Sequence, residues 1–334
     1  MPSRSLQDLP AVLQYRGEAV EAAHPFSAVA IRHELTSAEV IWQVGSDVLT
    51  PWRSAAKPFQ LATSLELLGD PAVTEFELAI GAASHSAEDS HVDLVRGLLA
   101  RFDVGEWDLR CGTHPPMHQP TADAILRRGG HFSEVHNNCS GKHAFMLAAT
   151  ARQAWPLDYR PVDHPLQRRI LLDIERWTEE QPRLAVDGCG LPTFCLPLSG
   201  IARAYGALAF ATHRVLAGTA TPTELRLGRI GKAMARHPEV TSGSERLDLS
   251  VVRHGLEPIL GKIGAQGVFC LALPLRNLAI AIKVHSGVGE ALGAVIAYAL
   301  EQVAPGAWHR GERWRFLEVH NWAGDLVGDY RVLL

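Results

Sequence analysis

Apolar strands stand at both ends of this chain, and the stretch between them is patterned for helices. Near the start, Ser27-Ala28-Val29-Ala30-Ile31 and Val40-Ile41-Trp42-Gln43-Val44 flank a polar turn, as in a hairpin. In the last third, Gly267-Val268-Phe269-Cys270-Leu271-Ala272-Leu273 and Leu278-Ala279-Ile280-Ala281-Ile282-Lys283-Val284 form a second pair around Pro274-Leu275-Arg276-Asn277. A further strand is expected near 330–333. Helical periodicity and start signals place helices over 54–68, 87–102, 121–128, 142–152, 165–180, 223–236 and 289–303. Strands that bury an apolar face need partners, so the two ends should meet in one sheet covered by the helical middle. The expected fold is α/β of the α+β kind: a mixed, mostly antiparallel sheet flanked by helices on both sides. No repeat, low-complexity tract or linker divides the chain, so residues 1–334 are expected to form one domain.

Bulk properties narrow the function. The 334 residues are 47% hydrophobic, enough for a substantial core. A net charge of -4 with scattered basic residues offers no footprint for nucleic acid. No apolar run is long enough to span a bilayer. Residues 1–8 lack the apolar stretch of a secretory signal, which makes a cytoplasmic location the expectation. Five cysteines without framework spacing argue against a disulfide scaffold.

Lysine is scarce: Lys57, Lys142, Lys232, Lys262 and Lys283 are all there are, and arginine fills most other basic positions. A guanidinium stays charged in proteins, whereas a buried lysine can lose its proton and serve as a base or ligand. Three of the five close or open short polar motifs. In Ser54-x-x-Lys57 the two side chains would share a helix face, and a neutral Lys57 could take the Ser54 proton. Pro58 places Ser54 at or just before the first turn. Lys262-Ile263-Gly264 precedes the strand from Gly267. Serine β-lactamases and penicillin-binding proteins combine S-x-x-K with K-T-G in this order, although their S-D-N element is absent here. Ser84-His85-Ser86 is either a second hydroxyl at the site or a helix cap before Glu88.

Cys139 and Cys189 sit in polar or glycine-rich loops, unlike Cys195 and Cys270, which lie in apolar runs and read as core. Thiolates and neutral nitrogens suit zinc, and two cysteines with one nitrogen donor would leave a position open. With no C-x-x-C pair, simple burial of the two cysteines is the competing reading. The histidines are dispersed, and no H-E-x-x-H occurs.

Together these segments resemble the rhizobial-type, or class 3, L-asparaginases, the asparaginase II family, whose fold is similar to serine β-lactamases and glutaminases. The resemblance rests on Arg53-Ser54-Ala55-Ala56-Lys57-Pro58, Ala83-Ser84-His85, Asn137-Asn138-Cys139-Ser140-Gly141-Lys142-His143, Asp187-Gly188-Cys189-Gly190 and Lys262-Ile263-Gly264-Ala265-Gln266-Gly267. It implies hydrolysis of L-asparagine to L-aspartate and ammonia, with Ser54 as nucleophile, Lys57 as its base, and Ser84 and Lys262 on the proton path. It implies Arg53, Asn138, His143 and Asp187 at the substrate. It also implies one zinc on Cys139, Lys142 and Cys189, completed by water, and a homodimer. The chain departs from the family pattern at Gln266, where Glu is expected, and at Thr241-Ser242-Gly243-Ser244. Two other readings compete: a β-lactamase or peptidase-like serine hydrolase, and a zinc-dependent binding protein without turnover.

Overall fold

The computed structural model describes residues 10–311 and 313–334; the reading of residues 1–8 as lacking a leader lies outside these. The strands are β1 (Ala11–Arg16), β2 (Ala19–His33), β3 (Ala38–Val44), β4 (Leu49–Pro51), β5 (Arg183–Val186), β6 (Pro192–Pro197), β7 (Leu260–Ile263), β8 (Val268–Leu273), β9 (Leu278–Val284), β10 (Glu318–His320) and β11 (Leu326–Leu333). Eight form a sheet in the order β10-β11-β1-β2-β9-β8-β7, with β3 also paired to β2. β4, β6 and β5 make a small second sheet, which the sequence patterns had not suggested.

β2 joins the two ends of the chain. Its first half pairs with β1, as in Ala11↔Pro25. Its second half takes β3 on the same edge and β9 on the other, as in Ala28↔Ile282. Every ladder among the described residues is antiparallel. The expected meeting of N- and C-terminal strands is therefore present.

Alternation along the central strands explains why they read as unbroken apolar runs. Val268, Cys270, Ala272, Ala279 and Ala281 face one core with Val29 and Ile31. Phe269, Leu271, Leu273, Ile280 and Ile282 face the other with Phe26 and Ala28. Both faces are covered, so neither can be polar.

The helices are α1 (Lys57–Leu67), α2 (Glu75–Gly81), α3 (Asp89–Arg101), α4 (Gln119–Arg127), α5 (Ser140–Arg152), α6 (Pro165–Thr178), α7 (Leu198–Leu216), α8 (Pro222–Arg236), α9 (Pro238–Thr241), α10 (Leu247–Arg253) and α11 (Leu292–Val303). α11 closes one face of the sheet, and α7 lies against the other with α1, α2, α5, α6 and α8 beyond it. None is long and apolar enough to cross a membrane, among the described residues.

α7 is the longest helix, and the sequence patterns had not pointed to it. It is sandwiched between the sheet, α6 and α8. Ile201, Ala202, Ala204, Tyr205, Leu208, Ala209 and Ala211 are all buried. A helix buried nearly all round has no polar face to mark its period. One start also differs from expectation. Residues 53–56 form a 3-10 turn, and α1 begins only at Lys57. Lys262, which precedes the strand from Gly267 in sequence, itself lies within a short strand, β7.

Candidate active site

The 3-10 turn carrying Ser54 packs beside β7 and β8, at the end of the large sheet where β7 is the edge strand. Its entry is unusual: Arg53 has φ of 55°, in the left-handed region that non-glycine residues rarely occupy. The backbone is pinned there by Trp52 N donating to Phe194 O at 2.8 Å and Arg53 N donating to Thr193 Oγ1 at 3.2 Å. Tyr205, buried on α7, donates its hydroxyl to Ala55 O at 2.8 Å. Its ring lies 5.5 Å from that of Phe59, which also packs on Trp52. Backbone strain held by surrounding structure is common at functional sites.

Lys57 opens α1 and is fully buried. Its Nζ donates to Ala83 O at 2.6 Å and Asn138 O at 3.0 Å, and lies 2.9 Å from Ser84 Oγ. Its hydrogen bonds go to these groups and not to Ser54. A 3-10 turn aligns residues three apart, so the spacing is not what separates them; the Lys57 amine is drawn instead to three acceptors in the loops after α2 and before α5.

Ser84 is instead the hydroxyl between two lysines. Lys262 reaches from β7 to place its Nζ 2.7 Å from Ser84 Oγ, and also donates to Ile263 O. Ser84 is not a helix cap; Glu88 occupies the cap of α3. Burial lowers the Lys57 pKa, partly opposed by the adjoining Cys139. Burial, reinforced by repulsion from Lys57, holds Lys262 well below the ordinary lysine range. One hydroxyl hydrogen can go to one amine while the oxygen accepts from the other. The trio is thus a short proton-conducting chain if one lysine is neutral.

A second cluster adjoins the first. Cys139 caps α5 and Lys142 lies three residues on, in its first turn. The helix start sits so close to α2 that a Cβ on Gly141 would come within 2.1 Å of Ile80 O. Gly141→Ala should therefore displace the segment that carries Cys139 and Lys142. We expect a stability loss of about 1–3 kcal/mol in denaturant unfolding, together with loss of activity. Unchanged stability would show that the contact is not constraining.

Cys189 comes from the turn after β5, closed by Gly190 N donating to Asp187 O at 2.9 Å. Its thiol pKa is lowered to about 5: the Cys139 thiol and the Lys142 cation outweigh burial. Cys139 is pushed up to about 12 by its contact with Cys189 and by burial. Burial opposes charge on Lys142, but the two cysteines overcome it and raise its pKa. Lys142 Nζ also donates to Gln60 Oε1 at 3.3 Å. Among the described residues no three His, Cys, Asp or Glu side chains gather as a metal site. The third group beside the two cysteines is an amine, that of Lys142.

Asp187 Oδ1 accepts from Arg53 Nε at 2.8 Å and from Gly188 N at 2.7 Å. Burial disfavours its charge, yet Lys142 and Arg53 hold its pKa below the usual value. Asn138 bonds to Lys57 through its backbone, and its Oδ1 lies 3.2 Å from Cys139 Sγ. His143 is buried rather than facing solvent. The Tyr159 hydroxyl accepts from Arg110 N at 3.1 Å and shares a hydrogen bond of 2.9 Å with His143 Nδ1. Burial and Lys142 bring the His143 pKa down to about 3, which keeps the ring neutral.

Gln60, Tyr159 and Tyr205 were not singled out from the sequence. Gln60 alone had a usable signal, since it lies one helical turn after Lys57 on the same helix.

The L-asparaginase II family matches residues 12–332 of this chain. Among solved structures, the chain is similar to Mglu in its native form in the presence of 4.3 M NaCl, at 14% identity and a TM-score of 0.44. That match covers 83% of this chain and 60% of that chain. It is also similar to Mglu in its L-glutamate binding form in 4.3 M NaCl, at 13% identity and a TM-score of 0.39, covering 86% of this chain and 61% of that chain. No curated protein sequence matches.

Proposed function

The chain belongs to the L-asparaginase II family, and on that premise we propose that it is an amidohydrolase converting L-asparagine to L-aspartate and ammonia through a serine nucleophile. The observation that carries this reading is the pair of buried, pKa-lowered lysines on the Ser84 hydroxyl. Such an arrangement can take a proton from an attacking hydroxyl and return it to a leaving amine.

Ser54 is the attacking group in this scheme, because it is only half-buried whereas Ser84 is enclosed. Ser54 Oγ bonds to the carboxamide carbon, and its proton passes to Lys57. Collapse of the tetrahedral intermediate breaks the C–N bond, and the nitrogen leaves as ammonia with a proton from the lysine–serine chain. Water then attacks the ester, releasing aspartate and restoring the Ser54 hydroxyl. Lys57 must turn toward Ser54 in the substrate complex; catalytic hydrogen bonds commonly tighten only there. Asp187, held ionised, is the partner for the substrate ammonium. Arg53 fixes Asp187 in place.

The residues at the second cluster fit zinc. Two thiols and an amine converge, and Cys189 is already disposed to be a thiolate. Cys139, Lys142 and Cys189 would hold the ion, which would supply positive charge for orienting and polarising the substrate. Lys142 must lose its proton to become a ligand. A homodimer is proposed on the same family grounds.

One contact favours a second assignment, with Ser84 as the nucleophile: its oxygen, not that of Ser54, touches both lysines. Ammonia release should be measured on asparagine and glutamine, with and without chelator, for wild type, Ser54→Ala and Ser84→Ala. We expect release from asparagine, and loss of all but about a thousandth of it in Ser54→Ala. A peptide map of quenched enzyme should place the acyl group on Ser54. An acyl group on Ser84 would exchange the two roles, and no ammonia from either amide would end the asparaginase reading.

A further inference from the structure

The segment after α9 is tied directly to the candidate site. Ser84 N donates to Thr241 O at 2.9 Å, and Ser86 Oγ donates to Ser242 O at 3.2 Å. Glu88 receives Ser244 N at 2.7 Å and Ser244 Oγ at 3.1 Å. Gly243 has φ of 113°, and a Cβ there would lie 2.4 Å from Ser86 Oγ, so only glycine lets the two loops run this close. These bonds hold residues 241–244, just before Arg246, against the Ser84–Glu88 segment.

Arg246 is mostly buried but poorly satisfied. Its side chain is 16% exposed. Nη1 lies 3.5 Å from Met117 Sδ, and a thioether is a weak acceptor. The same sulfur accepts from Asn138 Nδ2 at 3.2 Å, and Asn138 O accepts from Lys57. Met117 thus connects Arg246 to the catalytic lysine. On the other side, Asp248 Oδ1 lies 3.7 Å from Arg246 Nε, an ion pair too long for a hydrogen bond. Asp248 is buried, and neither carboxylate oxygen has a hydrogen-bond partner among the described residues. An anion fixed behind the guanidinium holds its charge in place while leaving most of its five N–H groups unused.

From this geometry we propose that Arg246 binds the α-carboxylate of the amino-acid substrate. The assignment rests on the asparaginase reading above. The substrate is a zwitterion and needs an anion and a cation beside the reacting serine. Asp187 supplies the first. Arg53 is already engaged with Asp187 at 2.8 Å, whereas among the described residues Arg246 has only a sulfur and a distant carboxylate. An arginine fork matches a carboxylate in two parallel hydrogen bonds. The enzyme would then select amides that carry a free α-carboxylate.

The test compares L-asparagine with its α-dimethylamide, from which ammonia can come only by side-chain hydrolysis. In Arg246→Gln, KM for asparagine should rise about 10- to 100-fold with kcat little changed, the scale of a lost charge-assisted pair. The dimethylamide should lose almost nothing, so the discrimination collapses. Arg246→Lys should recover part of it. Equal losses on both substrates would mean a structural role and overturn the assignment. If Arg246→Gln does not fold, the wild type still decides: L-aspartate should inhibit at least about tenfold more strongly than its α-amide, and equal inhibition would overturn the proposal. A wild type that releases no ammonia from asparagine would instead remove the underlying asparaginase reading, and this assignment with it.

Discussion

Lys57→Arg is expected to lower kcat/KM for L-asparagine by about 10³-fold, within the range usual for loss of a positioned general base. Arginine keeps the positive charge but cannot accept a proton near neutral pH. Lys57→Met removes the amine at similar length and should lose as much. Both substitutions disturb a buried side chain that bonds to Ala83 O and Asn138 O, so a fall in stability must be separated from the effect on turnover. Circular dichroism and thermal melting of each variant give that control. The pH profile gives a sharper one. Only the neutral amine is a base, so wild-type kcat/KM should fall as pH drops through a pKa below the ordinary lysine range. Burial sets that direction. Folded Lys57→Arg enzyme with wild-type turnover would exclude the general-base role.

Cys189→Ser should abolish zinc binding at stoichiometric metal, with affinity reduced at least about 100-fold. Elemental analysis of protein purified in zinc-supplemented buffer should find about one zinc per wild-type chain and almost none in the variant. The variant and chelated wild type should share a kinetic signature: KM for asparagine rises more than kcat falls, as expected if the serine, not the ion, attacks. Affinity should also decline toward acidic pH, since every donor in the set binds only after losing its proton. Equal, negligible zinc in wild type and variant would make Cys139, Lys142 and Cys189 a polar cluster only. Zinc uptake measured directly keeps this result separate from any change in activity.

Much of this arrangement was legible in the residues. Lys57, Lys142 and Lys262, singled out by the rarity of lysine, are all buried in the two adjoining clusters. Lys232, by contrast, pairs with Glu75 at 2.9 Å on a partly exposed helix face. The β8–β9 hairpin and most helices were visible because periodicity and turn residues are local properties. α7 was not visible, because its burial on nearly every side erases the alternation that marks a helix.

The motif Ser54-x-x-Lys57 shows where local reasoning stops. The sequence supplied both side chains, but their relation depends on a turn forced into an unusual backbone by β6 and α7. Ser84 meets two lysines from different elements, at separations of 27 and 178 residues. No spacing rule reaches that far. By itself, the sequence determined the strands that meet in the large sheet, most of the helices and which scarce chemical groups are available, since these follow from local periodicity and side-chain chemistry. Only the tertiary structure decided which of those groups touch and which lose their water. Contact and burial, and the pKa shifts that follow, belong to the packed chain as a whole.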